Sequence, residues 1–181
     1  MNFSELVKIR QSVRKYLPRD VEPEKLNLIL ESARLAPSAS NSQPWHIIVV
    51  NEPELLKKVA LATFDSIVYF NRFLLEAPVI LVIVIEKPKL ITQAGATIKK
   101  REFPLIDIGI IAEHICLQAT ETGLGSCMIG WFNEKKIKKL LNIPKHKRIG
   151  ILISLGYAPE DYRLRDKIRK SKDEIVSYNS Y

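Results

Sequence analysis

Arg10, Gln11, Ser12, Val13 and Arg14 place two guanidinium forks and a hydroxyl within five residues. Arg10, Ser12 and Arg14 alternate, so an extended backbone projects all three side chains to one side. Planar Arg donors match the oxygens of a phosphate, and the trio reads as a phosphate grip, although the same pattern also suits an ordinary surface turn. A second segment, Ala36-Pro37-Ser38-Ala39-Ser40-Asn41-Ser42-Gln43-Pro44-Trp45, is made of small and polar residues closing on a proline and a tryptophan. So little bulk lets backbone approach a flat ligand, while Asn41 and Gln43 offer donors and acceptors to ring edges. A plain helix-to-strand linker would have the same composition.

Other chemistries are poorly supplied. Cys116 and Cys127 form neither a CxxC pair nor a disulfide framework, and no Cys/His spacing suits a metal. His46 lies in an apolar run, His114 in a helical pattern and His146 in a basic loop, so none joins a Ser/His/Asp or Cys/His arrangement. Each reads as structural or solvated, and Cys127 reads as a buried small hydrophobe before a redox thiol.

The elements that carry these residues follow from periodicity. Phe3–Gln11 is a short amphipathic turn, and Pro23 stands at an N1 position ahead of EKLNLILESARLA. Trp45–Val50 reads as a strand and the stretch from Pro53 to Ala62 as a helix. Val79–Ile85 is a β-branched run without alternation, which predicts a central strand buried on both faces. Leu105 to Thr122 predicts a helix stopped by Gly123 and Gly125. Its Ile108, Ile111, Ile115 and Ala119 share a stripe, yet Ile106, Ile110 and Leu117 point elsewhere. A surface helix of a monomer should show one broad polar face. This one is covered on both sides, either by its own domain or by a second copy. Gly125–Trp131 and Gly150–Tyr157 read as strands flanking a helix that opens at Asn133 and carries Ile137, Leu140 and Leu141. The order α, α, β, α, β, α, β, α, β predicts a layered fold with helices covering a mixed sheet.

Composition bounds the rest. With 181 residues, 20.7 kDa, 46% hydrophobic and 27% charged, residues 1–181 read as a single globular domain without repeats or linkers. The charge of +8 and pI near 9.5 raise a nucleic-acid reading. The basic runs Lys99–Arg101, Lys135–Lys139, Lys145–Arg148 and Arg163–Lys172 are separated and mixed with acids, which favours a solvated surface over a nucleic-acid face. The N-terminus has no signal-peptide core, and the longest apolar run, Pro78 to Ile85, is far short of the roughly 20 residues of a membrane helix. A cytoplasmic protein with no membrane and no nucleic-acid partner is expected.

RxSxRxY near the start, then A-R-x-A-P-S-A-x-N-x-Q-P-W, resembles the nitroreductase family of FMN-dependent oxidoreductases. Asp107-Ile108-Gly109, the run Gly123 to Gly130, Ile143-Pro144, Leu155-Gly156-Tyr157 and a basic tail ending in Asp173-Glu174-Ile175-Val176 continue the resemblance in the family's order over nearly the whole chain. It implies an α+β (α/β layered) fold, with a central mixed, mainly antiparallel sheet flanked by helices, in a domain-swapped homodimer with FMN shared between subunits. The implied FMN-binding residues are Arg10, Gln11, Ser12 and Arg14 at the phosphate and ribityl, with Lys167 and Arg169 completing the phosphate clamp and Arg165 and Lys170 as competitors. Pro37, Ser38, Ala39 and Asn41 come from the partner subunit along the isoalloxazine. Met128, Ile129 and Gly130 pass its other face, and Asn71 meets the pyrimidine edge.

The implied activity is ping-pong transfer of electrons from NADH or NADPH, through the flavin N5, to a small acceptor such as a nitroaromatic or quinone, with no catalytic side chain and no metal. Gln11 stands where many relatives carry Arg, which weakens or rearranges the grip, and Gly130 replaces an acidic residue of some branches, which leaves room at the flavin edge. Other branches of the flavin fold, which dehalogenate or process corrins or flavins, are alternatives. So are a non-catalytic flavin-binding module and a basic nucleic-acid-binding module.

Overall fold

A computed structural model describes the backbone of residues 1–181 and the side chains of all but Ala94, Ala96 and Thr97. The elements in order are α1 (Phe3–Ile9), α2 (Pro23–Arg34), β1 (Trp45–Val50), α3 (Pro53–Ala60), β2 (Val79–Ile85), α4 (Leu90–Lys99), α5 (Phe103–Glu121), β3 (Gly125–Ile129), α6 (Glu134–Leu140), β4 (Arg148–Gly156) and α7 (Lys172–Ile175). Short 3-10 turns cover Ala39–Asn41 and Arg72–Leu75. Relative to the expected order, the additions are α4 and the short α7.

The strands form one antiparallel sheet in the order β1-β2-β4-β3. Successive strand side chains point to opposite faces, and in β2 this divides a wholly apolar run between two cores. Ile80, Val82 and Val84 join Leu56 and Val59 of α3 and Ile137 of α6 on one face. Val79, Leu81 and Ile83 join Ile29 and Ala33 of α2 and Ile108, Ile111 and Ile115 of α5 on the other. The run therefore lacks alternation because both faces are buried, as expected.

The loop after α1 is a fifth, partial participant in the sheet. Arg10 leaves the helix at φ −55°, ψ 125°, and Ser12 forms a parallel bridge to Ser126 of β3. This bridge gives the otherwise antiparallel sheet its mixed character. Val13 N–H donates to the Ser126 carbonyl at 2.8 Å and Leu17 N–H to that of Tyr157 at 2.8 Å. Tyr16, buried, donates its hydroxyl proton to the Val13 carbonyl at 3.1 Å and meets Ser154 Oγ at 2.7 Å. A Cβ on Gly125 would stand 2.7 Å from a methyl of Val13, so only glycine lets this segment lie against β3. Gly123, at φ +80°, provides the left-handed stop after α5.

In α5 the stripe Ile108, Ile111, Ile115 and Ala119 is buried as expected, but Ile106 is 52% exposed and Leu105 39%. Ile110 and Leu117 are half-buried, Ile110 against the second core, so the apolar residues that α5 leaves exposed are Leu105 and Ile106 near its start. By length and composition α5 is also the described helix apolar enough to cross a membrane, which a search for uninterrupted apolar runs misses because Asp107, Glu113 and His114 interrupt it. Here it lies across the sheet, contributing its stripe to the second core.

Candidate functional site

The end of α1 and the C-terminal tail enclose a cleft of about 310 Å³, lined by Arg10, Gln11, Ser12 and Arg14 from one side and Arg165 to Arg169 from the other. More than 150 residues of sequence separate the two walls. Gln11 latches them together: its Nε2 donates to the Arg163 carbonyl at 3.3 Å and its Oε1 accepts from Arg165 N–H at 3.1 Å. The Arg165 guanidinium donates to the Ser12 carbonyl, and the Lys167 ammonium to that of Arg10. Tyr162 Oη accepts from Arg14 N–H at 3.0 Å. Gln11 is thus a fastener of the tail, a role that reading it as a lost arginine does not suggest.

Cations dominate the cleft. Arg10 meets Glu113 of α5 with 3.3 Å between Nε and Oε1, but its buried Nε makes no hydrogen bond of good geometry. Arg14, Arg165, Lys167 and Arg169 complete the basic lining against a single lining carboxylate, Asp166. Shielding from water pushes the Lys167 ammonium below the ordinary lysine value, and the positive Arg10 and Arg169 push it further. A site in which cations already repel one another is stabilised by an anion, and forks of Arg with a hydroxyl suit phosphate oxygens. Of the expected phosphate set, Arg10, Ser12, Arg14, Lys167 and Arg169 all line the cleft, Arg165 joins them, and Lys170 does not.

The Ser12–Ser126 bridge ties this cleft to β3, whose end carries Met128, half-buried, Ile129, buried, and Gly130, exposed. A Cβ on Gly130 would meet nothing within 4 Å, so the backbone there faces open space. Asn71, buried, donates both amide hydrogens to backbone carbonyls, Thr63 at 3.1 Å and Trp131 at 3.0 Å. It pins the chain after β3 to the chain after α3, and only its side-chain oxygen is left out of these two bonds.

Pro37, Ser38, Ala39 and Asn41 belong to a loop that does not line the cleft. Ser40, Asn41 and Gln43 have φ of +51°, +49° and +48°, left-handed values that residues with a Cβ adopt at a cost. Ser38 Oγ accepts from Gln43 N–H at 2.8 Å, and Gln43 Nε2 donates to Asn41 Oδ1 at 2.7 Å. The loop is fastened to α5 at Asp107, whose Oδ1 accepts from Ala39 N–H at 3.0 Å. Asp107 and the cleft's Glu113 are six residues apart on that helix, about 9 Å of rise. Loop and cleft are thus fastened to one helix at separate points.

No group of three or more His, Cys, Asp or Glu among the described residues could hold a metal. Burial pushes the Cys116 thiol up to about 11 and raises that of Cys127, so both are held as thiols and pack as small apolar groups. His46 and His146 are exposed, and His114 Nδ1 stands 3.3 Å from the Ser32 carbonyl.

The sequence profile of the nitroreductase family matches residues 7–72 and 65–157. The NADH dehydrogenase/NAD(P)H nitroreductase of Archaeoglobus fulgidus is 34% identical over 164 residues, which cover 86% of this chain and 84% of that protein. Among solved structures, a nitroreductase family protein from Clostridium novyi superposes with a TM-score of 0.78 at 34% identity, covering 92% of this chain and 89% of its own. An FMN-dependent nitroreductase from Clostridium difficile does so with a TM-score of 0.76 at 31% identity, covering 97% and 98%.

Proposed function

Because the chain belongs to the nitroreductase family, we propose that it is an FMN-dependent oxidoreductase that moves electrons from NADH or NADPH to a small acceptor. The observation that carries this reading is the basic cleft, in which Arg10, Ser12 and Arg14 meet Arg165, Lys167 and Arg169 beside the end of β3. Such a donor set is matched to a phosphate monoester. The chemistry FMN supplies when bound is two-electron exchange, with a nicotinamide in one half-reaction and a nitroaromatic or quinone in the next, a ping-pong sequence.

The protein's own residues bind and orient. Arg10, Arg14, Lys167 and Arg169 neutralise the phosphate, Ser12 and Gln11 shape the wall beside it, and Arg165 secures the tail across the opening. Met128, Ile129 and Gly130 form the backbone edge beside one ring face, with open space at Gly130 for an acceptor. Asn71 offers its remaining oxygen to the pyrimidine edge. Pro37, Ser38, Ala39 and Asn41 complete the site from a second copy.

That second copy is supported by the exposed Leu105 and Ile106 near the start of α5 and by the absence of the loop from the cleft lining within one chain. The resulting molecule is a domain-swapped homodimer of two 20.7 kDa single-domain chains, acting in the cytoplasm. Purified protein reconstituted with FMN should sediment as a dimer, and its visible flavin absorption should bleach when NADH or NADPH is added without oxygen. A protein that FMN cannot colour removes the proposal; a coloured one that neither nicotinamide bleaches leaves a flavin-binding module.

A further inference from the structure

Ala39 is held at both ends of its residue by distant parts of the chain. Its N–H donates to Asp107 Oδ1 of α5 at 3.0 Å, and its carbonyl accepts from Thr92 Oγ1 of α4 at 3.4 Å. Both partners are buried, Asp107 2% exposed and Thr92 3%. The Thr92 hydroxyl also stands 2.7 Å from Ser42 Oγ, which accepts from Lys89 N–H at 3.3 Å. With the Ser42 proton on Thr92, the Thr92 proton goes to the Ala39 carbonyl. The second oxygen of Asp107 is buried with no hydrogen-bond partner. A buried carboxylate with one oxygen idle is a poor stabiliser of a fold. Its one bond secures a backbone N–H, just ahead of the residues with left-handed φ.

We propose that Asp107 and Thr92 are positioning residues, which fix the Ala39 residue and through it the attitude of the loop carrying Pro37, Ser38, Ala39 and Asn41 toward the flavin ring. The inference rests on the flavin reading above. The loop's local bonds, Ser38 to Gln43 and Gln43 to Asn41, shape it internally, but they cannot aim it. Aiming requires contacts to rigid elements, and the Asp107 and Thr92 bonds supply them. Because α4 provides one of the two, a change in α4 is transmitted to the ring-facing loop.

The test compares Asp107→Asn, Asp107→Ala and Thr92→Val in the full-length protein. Two readouts are taken: FMN affinity by flavin fluorescence, and hydrogen exchange of the Ala39 amide in the flavin-free protein. Asn keeps an acceptor for Ala39 N–H, so Asp107→Asn should bind FMN within about twofold of the parent and protect the amide, whereas Asp107→Ala should bind roughly tenfold more weakly and lose protection. Thr92→Val, nearly the same shape without the proton, should cost about threefold. Should Asp107→Ala fail to fold, Ala39→Pro removes the same N–H at the first position of a 3-10 turn, after an extended Ser38 (φ −148°, ψ 158°) that tolerates a following proline. Unchanged FMN affinity in Asp107→Ala, or an Asn variant as impaired as the Ala one, overturns the proposal. If the parent itself binds no FMN, the flavin reading falls, and exchange at Ala39 in the same variants still decides whether the two residues hold the loop.

Discussion

The basic cleft and the Pro37–Asn41 loop hang from the same helix but are built on opposite principles. The cleft is a collection of half-exposed and exposed cations held in place by donating to backbone carbonyls, with Arg165 on Ser12 and Lys167 on Arg10. The loop is held by two buried polar side chains, Asp107 and Thr92, against a backbone in left-handed conformations. Charge at the surface acts over distance and is screened, while a buried hydrogen bond acts over 3 Å and is not. The cleft therefore suits the charged end of a ligand, which must be attracted and released, and the loop suits a flat end that must be oriented.

The largest expected effect that separates the two regions is on Arg10. Its guanidinium pairs with Glu113 and lines the cleft, so Arg10→Ala removes a donor proposed for the phosphate and also leaves Glu113 without its cation. Charged hydrogen bonds of this kind contribute about 1.5–3 kcal/mol, so FMN affinity should fall by roughly one to two orders of magnitude. Flavin content after desalting measures it. Content equal to that of the parent would take Arg10 out of the phosphate site and dissolve the distinction between the regions.

Salt gives a smaller, sharper comparison. The Debye length shrinks from about 10 Å at 0.1 M salt to about 3 Å at 1 M, so exposed cations such as Arg14, Arg165 and Arg169 lose most of their reach. FMN affinity should weaken several-fold over that range, on the order of 1 kcal/mol. Riboflavin, which has the ring without the phosphate, should bind weakly and with little dependence on salt. Equal salt sensitivity for both ligands would mean that the cleft does not receive the phosphate.

The two regions also differed in how far the sequence disclosed them. Arg10, Ser12 and Arg14 sit two apart, and spacing of that kind survives folding into an extended segment, so the cleft's first wall was legible. The choice among Arg165, Lys167, Arg169 and Lys170 was not, because the tail is neither helix nor strand there and has no period to orient its side chains. The β2 run and the α5 stripe were legible because burial on a regular element leaves a repeat. Helix α4 escaped: its large apolar residues Leu90, Ile91 and Ile98 are exposed and mark no core-facing stripe. Asp107 stood in a recognised motif, yet its bond spans 68 residues of sequence, and that of Thr92 spans 53. Hydrogen bonds at such separations leave no local pattern. The sequence offers Asn71 as a ligand contact but not the two backbone bonds made by its side-chain nitrogen, which depend on loop geometry alone.

Lys167 offers the smallest effect and the one whose sign discriminates best. Shielding and the positive Arg10 and Arg169 hold its folded-state pKa below the ordinary lysine value. Between the lowered value and the ordinary one, about 10.4, the unfolded chain binds more protons than the folded chain, so flavin-free protein gains stability as pH rises through that window. Below it both states are protonated and the unfavourable crowding of charge is fully present. A bound phosphate reverses the local field and favours the ammonium, so FMN affinity should instead fall as pH rises through the same window. Titrating FMN affinity and the flavin-free melting temperature in parallel should give slopes of opposite sign, and Lys167→Met should flatten both. Slopes of the same sign would place the anion away from Lys167, leaving the arginines as the whole of the grip.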